Sequence, residues 1–227
     1  ISSTGWTIVT SITISPDGTI FIGGYFESAG GNTNCNNIAY YNGSDWAPLL
    51  TGLNNRVESL KFAPDGKLLI GGQFLNADGT NGDYICWWDG TAFRSFTDLG
   101  AIELNDYVSS IDINPNGTII IGGDFTEAGD DPNANGVAAW RGNNWGPIMA
   151  GGVNGAVYDI NCTDNNTIYI CGEFTKAGDL VLTDRVAKSV QGAYQPIDID
   201  LPGVAAIRTI LVASDGSLYF GGGFSTT

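Results

Sequence analysis

The chain has 227 residues, of which 43% are hydrophobic, 15% charged and 33 glycine; this excludes a solvated disordered polypeptide and fits short strands joined by tight turns. Its net charge of −15, from 24 acidic and 9 basic residues, repels polyanions and argues against nucleic acid as a partner. Histidine is absent, which removes the commonest general base, the Ser-His-Asp triad and any histidine-ligated metal centre. No apolar run approaches the ~20 residues of a membrane helix, so no membrane insertion is expected. Nothing at the start resembles a signal peptide, and Ile1 is not an initiator methionine; the chain is read as a mature form or as a piece of a longer polypeptide.

One phrase recurs five times: PDGTIFIGGYF (16–26), PDGKLLIGGQF (64–74), PNGTIIIGGDF (115–125), DNNTIYICGEF (164–174) and SDGSLYFGGGF (214–224). A repeat of about 50 residues points to a propeller, solenoid or array. The units begin at Val9, Val57, Val108, Val157 and Ile207. Each opens with a strand that is apolar at its first, fourth and sixth positions: Val9, Ile12, Ile14; Val57, Leu60, Phe62; and so on to Ile207, Ile210, Val212. The fourth and sixth alternate as one strand face should. A Pro-Asp-Gly type turn closes a hairpin, and a second strand of β-branched and aromatic residues ends in paired glycines that allow close backbone approach.

A loop of about ten residues follows, opened by Phe26, Phe74, Phe125 or Phe174. Third strands are expected at 38–43, 85–90, 137–142 and 186–192. Trp46, Phe93, Trp145 and Tyr194 then open the fourth strands, and rings at one repeated position predict a shared buried packing site. Four short antiparallel strands per unit make one propeller blade, so the fold class expected is an all-β β-propeller of four-stranded blades. Residues 1–227 read as a single propeller domain with five repeats, the last incomplete. Gly5-Trp6 resembles a fourth-strand start.

The pattern V-x-x-I-x-I-x-P-D-G-x-I-x-I-G-G-x-F-x-x-A-G, followed by I-A-x-x-x-G-x-x-W, resembles the kelch-like repeats of secreted and surface β-propellers, relatives of the galactose-oxidase propeller domain. The resemblance covers nearly the whole chain and implies the propeller fold; it leaves function open, since such propellers host adhesins, scaffolds, lectins and some enzymes. The copper chemistry of galactose oxidase does not carry over, because that family's copper ligands include histidine.

Candidate sites are few. Cys86 and Cys171 stand where other repeats hold Ala or Gly, Cys35 lies in a loop, and hairpin register puts Cys162 and Cys171 on opposite faces; buried free thiols are expected. DPNANG (131–136) fits the first half of a calcium loop, and Asn32, Asn34 and Asn36 repeat the alternation. Gly142 stands where the bidentate glutamate would be, and Asn and Asp are ordinary turn formers, so calcium is kept as a secondary reading and no cofactor is assigned. Four glycosylation sequons, at Asn42, Asn116, Asn161 and Asn165, are near chance in this composition. Glu58, Asp112 and Asp159 on first strands would be the acids of a glycoside-acting propeller, but they occupy three different repeat positions, which favours structural roles.

The longer second-to-third-strand loops, 27–37, 75–84, 126–136 and 175–185, carry Glu27, Asp78, Asp83, Glu127, Asp130, Asp131, Asp179 and Asp184 against Lys176 and Arg185. Loops that vary between repeats tend to carry function, so this acidic, asparagine-rich end is expected to meet a partner. The partner-binding set is Asp78, Asp83, Glu127, Asp130, Asp131, Asp179 and Asp184. The expected function is a non-enzymatic extracellular, cell-surface or virion-surface scaffold or adhesion module that binds a protein or joins a larger assembly. A carbohydrate-binding propeller is the alternative and a glycoside-acting enzyme the third reading.

Overall fold

The computed structural model describes residues 7–79, 82–148, 151–179, 183, 185–197 and 206–223, the Asp78 side chain apart. Trp6 lies outside them. The chain divides into two compact units, Ile1–Glu103 and Leu104–Thr227.

The first unit holds two antiparallel sheets. One runs β1 (Ile8–Ile14), β2 (Ile20–Tyr25), β3 (Ile38–Tyr41), β4 (Trp46–Pro48); the other runs β5 (Val57–Phe62), β6 (Leu68–Gly72), β7 (Ile85–Trp88), β8 (Phe93–Ser95). The second unit repeats this with β9 (Val108–Ile113), β10 (Ile119–Gly123), β11 (Val137–Trp140), β12 (Trp145–Pro147). Next come β13 (Val157–Cys162), β14 (Thr167–Gly172), β15 (Val186–Val190) and β16 (Ala193–Pro196). The last sheet is the pair β17 (Ala206–Val212) and β18 (Leu218–Gly223), an incomplete blade. Helix is confined, among the described residues, to 3₁₀ turns at Ala77–Gly79 and Phe96–Leu99.

Local chemistry explains each hairpin. In the first turn of the first blade, Asp17 Oδ1 accepts the Thr19 N–H at 3.1 Å, while Gly18 takes φ +89. Asp65, Asn116, Asp164 and Asp215 accept in the same way from Lys67, Thr118, Asn166 and Ser217. All five hairpins also shift register just after the first repeat position, between Val9 and Ser11 in β1 and at the matching steps elsewhere. The extra residue of this bulge lets the first position share a face with the fourth and sixth.

That face packs against the preceding blade. In the first unit Val57 and Leu60 join Ile38, Leu53, Ile70 and Phe74 in a buried cluster flanked by Phe21, Tyr40 and Phe62. In the second, Val157 and Ile160 join Ile120, Val137, Val153 and Phe174, while Ile207 and Ile210 pack with Cys171 and Val186. The first glycine of the GG pair makes room for this. A methyl group on Gly23 would lie 2.4 Å from Val57 Cγ1, and one on Gly122 would lie 2.6 Å from Val157 Cγ1.

Polar side chains on the first strands tie neighbouring blades together. Ser11 Oγ accepts the Leu60 N–H at 3.0 Å, and Ser110 Oγ accepts the Ile160 N–H at 3.2 Å. Asp159, at the same repeat position, accepts from Ile210 N–H (3.0 Å), Thr209 Oγ1 (2.8 Å) and Ser110 Oγ (2.9 Å). Two positions on, Asp112 accepts the Cys162 N–H at 2.6 Å and Asn161 Oδ1 the Val212 N–H at 3.2 Å. The five bonds with backbone donors satisfy first-strand N–H groups that are not paired within their own hairpins.

The expected ring site needs one adjustment. Phe93 and Trp145 are buried, at 2% and 3% exposure, but Trp46 is only half-buried against Ile22, Phe26, Ala29 and Ala39. Phe93 lies within the cluster formed with the first blade, whereas Trp46 faces the side of β1 against which no described blade packs. Tyr194 enters β16 one residue late, after Ala193.

Candidate ligand groove at the long-loop end

Each second-to-third-strand loop is built on the same three anchors. Phe26, Phe74, Phe125 and Phe174 are buried, as are Ala29, Ala77, Ala128 and Ala177 three residues on. The residue before each third strand takes positive φ: Asn37 (61), Tyr84 (61), Gly136 (70) and Arg185 (64). A fourth anchor comes from the crossing between blades. Asn54 Oδ1 accepts the Leu75 N–H, Asn105 Oδ1 the Thr126 N–H and Asn154 Oδ1 the Thr175 N–H, at 2.8–2.9 Å. Before two of these asparagines a glycine passes against the loop. A Cβ at Gly52 would lie 2.3 Å from the Asn36 carbonyl oxygen, and one at Gly152 would lie 2.5 Å from that of Asn135.

In the first unit these parts enclose a groove of about 630 Å³. Tyr25, Phe26, Glu27, Asn36 and Asn37 come from the first blade's loop end, Thr51–Asn54 from the crossing, and Asn76 and Gly79 from the second blade's loop. Asn37 is fixed on both sides of its amide: Nδ2 donates to the Leu53 carbonyl at 2.8 Å, and Oδ1 accepts the Phe26 N–H at 3.1 Å. Asn36 Nδ2 donates to the Thr51 carbonyl at 3.0 Å. Tyr25, Glu27, Asn54 and Asn76 are exposed at the rim. The groove thus sets amides, one carboxylate and one phenol beside apolar surface from Phe26 and Leu53, a mix able to hydrogen-bond an extended ligand.

The sequence-based set of acids falls differently. Asp83 is half-buried and its Oδ1 accepts the Asn76 N–H at 2.6 Å, so it shapes a groove-lining loop. Asp78 lies on the 3₁₀ turn Ala77–Gly79. Glu127, Asp130 and Asp179 are exposed in the second unit, with Asp130 at φ 60, and Asp131 is half-buried. Asp184 lies outside the described residues. Of the five whose side chains are described, none lines the groove; Glu27, from the same loops, does. The calcium-like alternation is spent on turns: Asp131 Oδ1 accepts the Asn133 N–H at 2.9 Å, and Asn32 Oδ1 the Asn34 N–H at 3.1 Å. No group of three or more His, Cys, Asp or Glu is positioned for a metal among the described residues. No disulfide joins the four cysteines; Cys35, Cys86 and Cys171 are buried, and burial pushes all three up from their ordinary pKa.

Carboxylates at this end are pushed up as well. Burial raises Glu58 despite Arg56 3.0 Å away, and partial burial with the Asp106 and Glu173 charges raises Asp124. Tyr158 is pushed up to about 12 by burial and by its hydrogen bond to Glu173, with the Arg208 guanidinium 5.1 Å from its ring.

The fold so defined is a β-propeller, an all-β array of four-stranded blades with the last one incomplete. Residues 2–85 match the family model of the Rax2 C-terminal beta propeller domain, a stretch shorter than half of the chain. A search of characterised protein sequences gives no match. Among solved structures, the chain is similar to the WD40 beta propeller domain of Doa1, with 20% identity over 94% of this chain and 60% of that one, at a TM-score of 0.59. It is similar also to the extracellular domain of a hybrid two-component system from B. thetaiotaomicron, with 14% identity over 97% and 26% of the chains and a TM-score of 0.61. A third is YCF48 bound to D1 peptide, with 16% identity over 90% and 58% and a TM-score of 0.52. At these identities the likeness is one of fold, and the chain spans less than two thirds of each of the three. No helix among the described residues is long and apolar enough to cross a membrane.

Proposed function

We propose that this protein is a non-catalytic, kelch-like propeller module that binds a protein partner through the long-loop end of its blades, in an extracellular or surface setting. One observation carries the reading: the 630 Å³ groove presents four asparagines, Tyr25 and Glu27 on anchored loops. Amides held this way offer donors and acceptors to a peptide backbone at little ordering cost. Glu27 on its rim favours a basic or donor-rich segment. Against catalysis stands the use of the first-strand acids. Asp112 and Asp159 accept backbone N–H groups of the next blade, and Glu58 pairs with Arg56 and Gln73.

A lysine-containing peptide array, followed by titration of its hits by fluorescence polarisation, tests the proposal. Glu27→Lys combined with Tyr25→Ala should weaken binding at least tenfold, about 1.4 kcal/mol, and added salt should weaken the wild-type complex. Neutralising Asp83 should lower that salt dependence. Binding that survives these changes but fails on altering Asp17 or Asp65 would move the site to the opposite end of the blades. There a smaller groove of about 330 Å³ is floored by Phe21, Phe62 and Trp88. A glycan array that gives saturable hits where the peptide array gives none would favour the carbohydrate reading.

A further inference from the structure

The groove of about 330 Å³ at the short-turn end lies between the two blades of the first unit. Its floor is three half-buried rings: Phe21 on β2, Phe62 on β5 and Trp88 on β7. Phe21 and Phe62 stand nearly perpendicular, with centroids 5.4 Å apart and planes at 74°. Further rings fix them in place: Phe21 stacks on Tyr40 at 5.6 Å, and Trp88 meets the buried Phe93 at 5.1 Å. Rings set at right angles form a corner that can surround a ligand, where a flat platform would only stack on one.

The repeat itself does not require rings here. At the joint between the third and fourth blades, the same registers place Ile120, Cys162 and Ser189 at the three positions. That joint packs without any of the three rings. The polar groups of the groove's rim, by contrast, are already engaged in their own turns. Ser15 Oγ donates to Asp17 Oδ1 and accepts the Thr19 N–H at 3.0 Å, and Asp17 Oδ1 accepts the same N–H at 3.1 Å. Asp89 Oδ1 accepts the Thr91 and Ala92 N–H groups and the Thr91 hydroxyl at 2.7–2.9 Å, and its Oδ2 takes Arg94 Nε at 2.7 Å. What the rim still offers a ligand is charge. Arg94 matches Asp89, but the exposed Asp17 is bonded by neutral donors, which hold its carboxyl below the ordinary range and so ionised at neutral pH.

We propose that this groove binds a quaternary ammonium cation, the trimethylammonium group of a small molecule of choline's class. Such a cation is attracted by ring faces and by a nearby carboxylate, and it donates no hydrogen bond. It therefore suits a site of three rings, one uncompensated charge and rim groups engaged elsewhere. A sugar, or a primary ammonium with its three donors, would lose hydration to walls that return little of it. A phosphate on the same molecule is disfavoured by the net charge of −15. The proposal does not rest on the loop-end reading.

Isothermal titration of the purified chain with choline chloride, against sodium chloride at equal ionic strength, is the test. Saturable binding in the millimolar range is expected. The uncharged analogue, in which a tert-butyl group replaces the trimethylammonium, should bind about tenfold more weakly. Trp88→Leu, which keeps an apolar filler, should weaken choline binding by about the same factor. Asp17→Asn keeps the turn's acceptor oxygen at an exposed position; it should weaken binding about threefold while the thermal transition stays cooperative. Arg94→Gln removes the rim cation and should strengthen binding. No saturable heat with choline, equal binding of the uncharged analogue, or choline binding that Trp88→Leu and Asp17→Asn both leave unchanged would each overturn the proposal. Phosphocholine that binds as tightly as choline would overturn the part given to charge. Peptide binding at the long-loop end is read with the Tyr25 and Glu27 variants, so either proposal can fail while the other stands.

Discussion

The two ends of the blades solve the same task, closing a pair of antiparallel strands, by opposite means. At the first-to-second-strand end, an Asx acceptor two residues ahead of its donor makes a self-contained turn in all five blades. At the second-to-third-strand end, the loop is held from outside itself, by a buried Phe below and a crossing-segment asparagine beside it. Carboxylates respond accordingly. Hydrogen bonds from neighbouring hydroxyl and backbone groups hold Asp17, Asp164 and Asp215 below their ordinary pKa, whereas burial holds Glu58 and Asp124 above theirs. A turn that is finished by its own residues has no freedom left to vary. A loop fastened at its base can change its tip while the groove walls, built from the base residues Phe26, Asn36 and Asn37, stay in place.

The largest effect should therefore come from the loop anchors. Phe174→Ala removes a fully buried ring and should cost about 3–5 kcal/mol in chemical denaturation. Trp145→Ala should fall in the same range, and Trp46→Ala nearer ~2 kcal/mol, because its ring is partly solvated already. Equal losses for the two tryptophans would mean that the β1 side of the first blade is covered in solution.

Next come the bonds between blades. Asp112→Ala strands the part-buried Cys162 N–H, which should cost about 1–3 kcal/mol. Asp112→Asn, which keeps an acceptor oxygen, should cost less than half of that. If Asp112→Asn is as damaging as alanine, charge rather than acceptor geometry holds the joint, and the serine bonds at Ser11 and Ser110 are poor guides to it.

Much of this architecture was legible in the residues, because a blade is written in local signals. Turn chemistry, paired glycines and alternating β-branched residues placed the hairpins within a residue or two. The first-fourth-sixth spacing was visible too, but not its cause: an unpaired bulge residue, which no residue type announces. The groove was less legible. One of its asparagines, Asn54, belongs to a Leu-Asn or Val-Asn step three residues before a first strand that recurs at Asn105 and Asn154. That signal carries meaning only when the crossing is known to pass beside the next loop. Counting acids could not show that Asp131 and Asp83 use their oxygens to close turns. The exposure of β1 was illegible for a different reason. Ile12 and Ile160 read alike, and only their neighbours distinguish them.

The smallest effect separates the two ends by pH. For a carboxylate whose folded pKa is depressed, the stabilisation is complete above its unfolded value and is lost as pH falls through the folded value. Asp17, Asp65, Asp89, Asp164 and Asp215 all have this sign, with neighbouring hydroxyls, cations or backbone amides as the cause. Their share should be intact at neutral pH and fade below about pH 4, where an unfolded Asp takes up its proton. Glu58 and Asp124 have the opposite sign: their folded pKa lies above the unfolded one, so their contribution is fully present below the unfolded value and is lost as pH rises through the folded value. Asp124→Asn should therefore raise the thermal midpoint at pH 7, where it removes repulsion from Asp106 and Glu173, and leave it unchanged at pH 3. Asn116→Asp, which gives the third blade the turn carboxylate the other four already have, should steepen the acid loss of stability without lowering the midpoint at pH 7. Parallel midpoint-against-pH curves for wild type and both variants would mean that the ends of the blades do not differ electrostatically, and that the acidic loops respond to pH no differently from the turns.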